Sequence, residues 1–197
     1  NEDILQQRFG ADGTAVGGEV RVNTEPNGEQ WRPSATALSD GGWLVSWMSW
    51  SDGYSWGIYQ QRFTAAGVAT GGEVRVNATT LESQSEPSVT ALSDGGWVVS
   101  WQSQLQDGSG FGVYQQRYNA AGAPVGGEVR VNSTTAGDQM FPSVATLANG
   151  GWLVSWMSTI QGPSGWDIFQ QRFDANGVAV GSENRVNTHL DDTQELP

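Results

Sequence analysis

The chain has 197 residues, enough for one domain with a substantial core. Its 27 glycines and 15% charged residues suit an all-β protein rich in turns, not a disordered acidic tail. The formal net charge is −12 and all nine basic residues are arginine, which argues against nucleic acid and anionic membrane surfaces as partners. Without cysteine there is no disulfide framework and no thiolate metal site, and no window approaches the roughly 18 apolar residues of a membrane span, so no membrane insertion is expected. No secretory leader opens the sequence. Asn1-Glu2-Asp3 runs directly into a repeat, as expected of a piece cut from a longer polypeptide.

Four anchors recur along the chain. Gln-Gln-Arg-aromatic stands at Gln6–Phe9, Gln60–Phe63, Gln115–Tyr118 and Gln170–Phe173, and Arg-Val-Asn begins at Arg21, Arg75, Arg130 and Arg185. A Pro-Ser step follows at Pro33, Pro87 and Pro142, and Pro197 stands where a fourth would begin. A Gly-Gly-Trp step closes each set at Trp43, Trp97 and Trp152. The spacing of 54–55 residues lies beyond the common helical repeats and near the blade length of kelch-type propellers.

Each unit predicts four strands. The first is Pro33 to Leu38. A Ser-Asp-Gly-Gly turn then leads to Trp43–Ser49, because an Asx-Gly step favours the positive φ that a hairpin turn needs. In that second strand Trp43, Val45 and Trp47 share one face, Leu44, Ser46 and Met48 the other. Only Ser46 is polar, so both faces are expected to be buried. A longer loop precedes Ile58–Phe63. A turn ending in Gly71-Gly72 leads to Glu73–Asn77, where Val74 and Val76 alternate with polar residues as in a half-buried strand. Asn184, standing where other units have valine, is expected to weaken one buried contact in the last unit. The chain therefore reads as a single repeat domain spanning 1–197, with a half unit 1–32 and units 33–86, 87–141 and 142–197. The expected fold is all-β, a β-propeller-like array of four-stranded antiparallel blades with about 3.5 repeats. Such an array leaves a sheet edge free, so self-association through that edge is expected.

The segments Ser93–Trp101, Gly112–Tyr118, Gly126–Asn132 and Gly137–Ser143 carry a resemblance. They are similar to repeats that occur in tandem in large secreted bacterial proteins of the hemolysin-type, calcium-binding and adhesin-like kind. The resemblance covers nearly the whole chain and implies propeller-like sheets and a secreted or cell-surface location. The glycine-rich calcium nonapeptides that often accompany such repeats are absent, so calcium binding is not implied with it.

Residues present in every unit are read as packing requirements: the paired glutamines, the arginines of the anchors, and the Asx of the tight turn. An arginine such as Arg62 or Arg75 is expected to pair with Glu73 or with Gln60 and Gln61. Gln30, Gln84 and Gln139, three residues before each proline, read as turn supports. Residues that vary within one loop are the better candidates for recognition. The loops between the second and third strands end in Trp56, Phe111 and Trp166 and hold Asp52, Asp107 and Asp167. Aromatic faces beside carboxylates suit a sugar, whose apolar face stacks on a ring while its hydroxyls bond the polar groups. Trp31, with counterparts Ser85 and Met140, is a further candidate contact, and Arg32 is the one arginine outside the repeat positions.

No cofactor is expected. Calcium is the one metal for which oxygen ligands stand in the loops, at Asp52, Asp107 and Asp138. Catalysis is not expected: the only histidine is His189, and no Ser-His-Asp set is suggested. The expectation is a non-catalytic extracellular module binding glycans, lectin-like or adhesin-like. The alternatives are an assembly block without a ligand and a glycosidase-like enzyme, which needs only two suitably spaced carboxyl groups.

Overall fold

A computed structural model describes residues 2–50, 55–159 and 165–188. A two-stranded sheet, β1 (Leu5–Phe9) and β2 (Ala15–Arg21), is followed by three four-stranded sheets. The first of these holds β3 (Gln30–Ala37), β4 (Trp43–Ser49), β5 (Gly57–Phe63) and β6 (Ala69–Arg75). The second holds β7 (Gln84–Ala91), β8 (Trp97–Gln104), β9 (Phe111–Tyr118) and β10 (Pro124–Arg130). The third holds β11 (Gln139–Thr146), β12 (Trp152–Ser158), β13 (Asp167–Phe173) and β14 (Ala179–Arg185). Within each sheet the strands are antiparallel and follow chain order, so each sheet is one propeller-like blade.

The tight turns form as their chemistry dictates. Gly41 takes φ +82°, and the Asp40 carboxylate accepts the Gly42 amide at 2.9 Å. β4 and β8 are buried on both faces, because each of their sheets packs between two others, whereas β12, in the last described sheet, keeps Leu153 and Ser155 half-buried. Val45, Trp47 and Phe63 face Ile4 and Val22 of the preceding sheet. Leu44, Met48 and Ile58 face Val89, Trp97 and Trp101 of the following one. Leu92, Val98 and Val113 repeat the arrangement against Trp152, Val154 and Trp156. The protein thus has one apolar layer in each gap between sheets.

The polar anchors join the blades. The Trp43 indole donates to Gln6 Oε1 at 2.7 Å, Trp97 to Gln60 at 3.0 Å and Trp152 to Gln115 at 2.8 Å. The second glutamine works within its own sheet: Gln61 Nε2 donates to the carbonyls of Arg62 and Thr70. Arg62 lies over the Trp97 ring, donates to the Ala120 carbonyl of the next blade and pairs with Asp40 at 2.6 Å, not with Glu73. Glu73 instead accepts the Thr24 amide and hydroxyl from the preceding unit. Glu128 accepts the Ala78 amide and the Thr79 hydroxyl, and Glu183 the Ser133 amide and the Thr134 amide and hydroxyl.

The fourth strand differs from its sequence reading. It begins before the glycine pair and contains it as a bulge: Gly71 has φ +70°, and the β5–β6 register shifts between Gln60 and Arg62. The bulge leaves Val74 46% exposed, while Asn77 is buried with its side-chain oxygen accepting the Ile58 amide at 2.7 Å. Asn184 accordingly sits at an exposed position, and no buried contact is lost there.

Candidate functional site

The innermost strands β3, β7 and β11 lie side by side, tied by Ser34 Oγ accepting the Val89 amide and Ser88 Oγ accepting the Val144 amide. Each is bulged near its start, where the register with its neighbour shifts between Trp31 and Ser34, Ser85 and Ser88, and Met140 and Ser143. The residue before the anchor proline is left-handed in all three strands: Arg32 at φ +55°, Glu86 at +54° and Phe141 at +54°. A proline normally steers its predecessor to extended backbone, and a non-glycine residue in this region costs on the order of 1–3 kcal/mol. The three strands therefore present three different side chains at one strained, structurally equivalent point: a cation, an anion and an aromatic ring.

These side chains meet across the strands. Arg32 Nε lies 3.1 Å from Glu86 Oε1, with the Glu86 side chain 22% and the Arg32 side chain 63% exposed. Burial raises the Glu86 carboxyl above its ordinary range, and the Arg32 charge acts against that rise. Beneath them Gln102, buried, donates to Ser85 Oγ at 3.0 Å and accepts the Phe141 amide at 2.9 Å, bridging β7 and β11. Met48 and Met157 occupy the corresponding places in the other sheets, so this polar bridge belongs to one blade only.

Three indoles stand next to this point. The Trp31 and Trp56 rings are 5.1 Å apart, and Trp50 meets Trp56 edge-on at 5.5 Å. The Trp56 carbonyl accepts the Gln84 amide at 2.9 Å, which holds the end of its loop against the start of β7, two residues from Glu86. Trp31 and Trp50 remain 41% and 37% exposed. The arrangement offers aromatic faces beside a half-buried carboxyl and an exposed guanidinium.

The other candidates fall elsewhere. Phe111 and Trp166 stand half-buried at the ends of their own loops. Asp167 is fully buried, with its Oδ1 accepting from Asn187 at 2.6 Å and Arg185 at 3.9 Å from its Oδ2. Asp3 makes the same pair with Asn23 and Arg21. Where Asp167 has Gly112 as its counterpart in β9, Asp107 fills that space from the loop and accepts from Asn132 at 3.5 Å. Asp107 and Asp167 thus seat the Arg-Val-Asn anchors, a structural task. Asp107 also borders an open groove of about 680 Å³ with Tyr114, Arg130 and Glu183. Burial, joined by the Asp107 charge, pushes the Tyr114 hydroxyl up to about 12. Asp52 lies outside the described residues. Asp138 Oδ1 accepts the Phe111 amide, and among the described residues no three acidic or imidazole side chains gather as a metal site.

Sequence reasoning missed Glu86 and Gln102. The available signal was variation: glutamate stands before the anchor proline in one unit only, and glutamine replaces methionine in one Trp strand only.

No protein-family model matches the sequence, and no curated protein matches it. Solved structures do share the fold. An α-L-arabinofuranosidase from Lactobacillus brevis aligns with TM-score 0.56 at 11% identity, over 88% of this chain and 61% of that one. A thermostable family-43 glycoside hydrolase aligns at 0.53 and 10%, over 95% and 73%. An endo-arabinase from Bacteroides thetaiotaomicron aligns at 0.50 and 17%, over 81% and 62%. The chain spans under two thirds of the length of the arabinofuranosidase and the arabinase. These matches bear on fold, and they correct the expectation that catalysis is foreign to this chain: its architecture is one that glycoside hydrolases use.

Proposed function

We propose that the chain belongs to a carbohydrate-acting propeller of the glycoside hydrolase kind, with a saccharide lying across the starts of the inner strands. The observation that carries this reading is Glu86: a half-buried carboxyl, raised by burial, held on strained backbone beside the Trp31–Trp56 pair. In this reading the indoles stack on the apolar face of a sugar ring. Glu86 is the general acid that protonates the departing glycosidic oxygen, and Arg32 fixes the orientation of its carboxyl. Hydrolysis also takes a second carboxylate. The other two described inner strands carry Arg32 and Phe141 at the equivalent position, so that group comes from another position. Arabinans and xylans are the first substrates to try, since enzymes that share the fold are named for them. An acidic surface without lysine and polymeric substrates both suit a secreted protein.

The test is release of reducing ends from arabinan and xylan oligosaccharides. Wild type should hydrolyse at least one of them, with a rate that falls as pH rises through the raised Glu86 pKa. Glu86→Gln should lower the rate at least about a hundredfold while oligosaccharide binding persists. Hydrolysis unchanged in Glu86→Gln, or saccharide binding without turnover by wild type, would overturn the proposal.

A further inference from the structure

The half-sheet β1–β2 differs from the full sheets in one respect that the repeats make measurable. In β5, β9 and β13 the last aromatic of the Gln-Gln-Arg anchor is covered by the Trp strand beside it: Phe63 is 2% exposed, Tyr118 3% and Phe173 3%. Their counterpart on β1, Phe9, is 64% exposed. Leu5 is 53% exposed, where Tyr114 and Phe169 are 6% and 7%. Among the described residues only β2 pairs with β1, so the edge that in β5 carries β4 is open.

The facing wall repeats the contrast. On β3, Pro33 and Ala35 are exposed, whereas Pro87, Val89, Pro142 and Val144 at the equivalent places are buried under the preceding blade's inner strand. Between the two walls lies a cleft of about 420 Å³, floored by Ile4, Trp43 and Val45. An open edge strand of this kind, with Leu5 and Phe9 exposed, is a template for strand addition.

We infer that this cleft is a docking site for a two-stranded Gly-Gly-Trp hairpin of the chain's own repeat type, the counterpart of β7–β8. The register is set by the full sheets, in which Trp43 stands opposite Phe63, Val45 opposite Gln61 and Trp47 opposite Tyr59. On β1 the incoming strand places its first tryptophan opposite Phe9, its valine opposite Gln7 and its second tryptophan opposite Leu5. The first tryptophan stacks on Phe9 as Trp43 stacks on Phe63, with centroids 5.4 Å apart. The incoming inner strand lies against β3 as β3 lies against β7, and its Pro-Ser hydroxyl accepts the Ala35 amide as Ser34 Oγ accepts that of Val89. A generic apolar peptide meets the exposed surface but not this register, which is why the occupant is a hairpin of this repeat. The inference is independent of the proposed activity.

The probe is a synthetic peptide with the sequence of residues 84–104, which spans β7, its turn and β8. It is titrated into the intact chain and followed by calorimetry, with amide hydrogen exchange reporting on β1. The expected result is saturable one-to-one binding, slower exchange in Leu5–Phe9, and no binding of a scrambled peptide. Phe9→Asp, at an exposed position that folding does not bury, should weaken binding about tenfold or more, the loss expected when one buried ring contact is removed. Absence of binding, binding indifferent to Phe9→Asp, or a homodimer in light scattering that Phe9→Asp dissociates would overturn the inference. In the last case the occupant would be a second copy.

Discussion

The bond between Gln60 and the Trp97 indole is the most direct test of how consecutive blades are held together. Both residues are buried, at 4% and 2% exposure, and the donor–acceptor distance is 3.0 Å. Gln60→Leu keeps the volume roughly constant but removes the acceptor, so the indole N–H loses its partner inside a dry layer. A stranded buried donor costs about 1–3 kcal/mol. Taking about 2 kcal/mol, a chain of this size should lose about 4–8 °C in Tm. Urea unfolding followed by circular dichroism gives the free energy directly. The half-sheet supplies an internal control. Gln6 accepts from Trp43 at 2.7 Å, but Trp43 is only half-buried, so water can replace the lost acceptor. Gln6→Leu should therefore cost under about 1 kcal/mol, while Gln115→Leu, facing the buried Trp152, should match Gln60→Leu. Equal losses at all three positions, or no loss at Gln60, would refute the reasoning that burial of the indole sets the size of the effect.

Further outcomes follow from single observations. A β-carbon on Gly96 would stand 2.2 Å from the Tyr118 carbonyl oxygen, whereas one on Gly72 meets nothing within 4 Å. Gly96→Ala should cost at least about 2 kcal/mol in urea unfolding, and Gly72→Ala should be neutral or slightly stabilising. The Asp40 carboxyl is held below its ordinary value of 3.8, first by the Gly42 amide and then by Arg62. A lowered folded pKa gives stability that is present above the ordinary value and lost as pH falls through the folded one, so Asp40→Asn should flatten the acid limb of a stability–pH curve. Asn149 already occupies the matching place and keeps the turn's amide bond at 3.2 Å, so the substitution should fold normally. Glu86 shows the opposite sign: burial raises its folded pKa above the ordinary 4.5. Its neutral form is favoured below the ordinary value, and that advantage is lost as pH rises through the raised one. Glu86→Gln should therefore be more stable than wild type near pH 7 and equal to it near pH 4. Arg32→Ala should be less stable than wild type near pH 7.

Much of the architecture was legible because one residue type at one place has one physical meaning. A strand such as Trp43–Ser49, with a lone serine among apolar residues on both faces, has no wet side, and it lies between two apolar layers. The tight turns followed from Asx-Gly. The fourth strand was not legible, because alternation assumes an unbroken pleat. The bulge at Gly71-Gly72 turns Val74 outward, and Asn77 is buried for a backbone amide that sequence does not place. Trp31 stood out as an aromatic that the repeat does not demand and Trp56 as the aromatic ending a variable loop, and the structure puts their rings in contact. Glu86 did not stand out. Its importance depends on a left-handed backbone before proline and on a salt bridge to a residue one whole unit away, and neither leaves a mark on local sequence. Asp167 looked like a loop carboxylate, but it is the first residue of β13 and faces inward.

The proposed function rests on a saccharide lying across the starts of β3 and β7. Selective 15N labelling of tryptophan, with an indole N–H spectrum recorded as arabino- and xylo-oligosaccharides are titrated in, tests it residue by residue. The Trp31 and Trp56 signals should shift together and saturate, with both shifts altered in Glu86→Gln. The fully buried Trp47, Trp101 and Trp156 should stay in place. Saturable shifts confined to other tryptophans, or none with either sugar series, would contradict it.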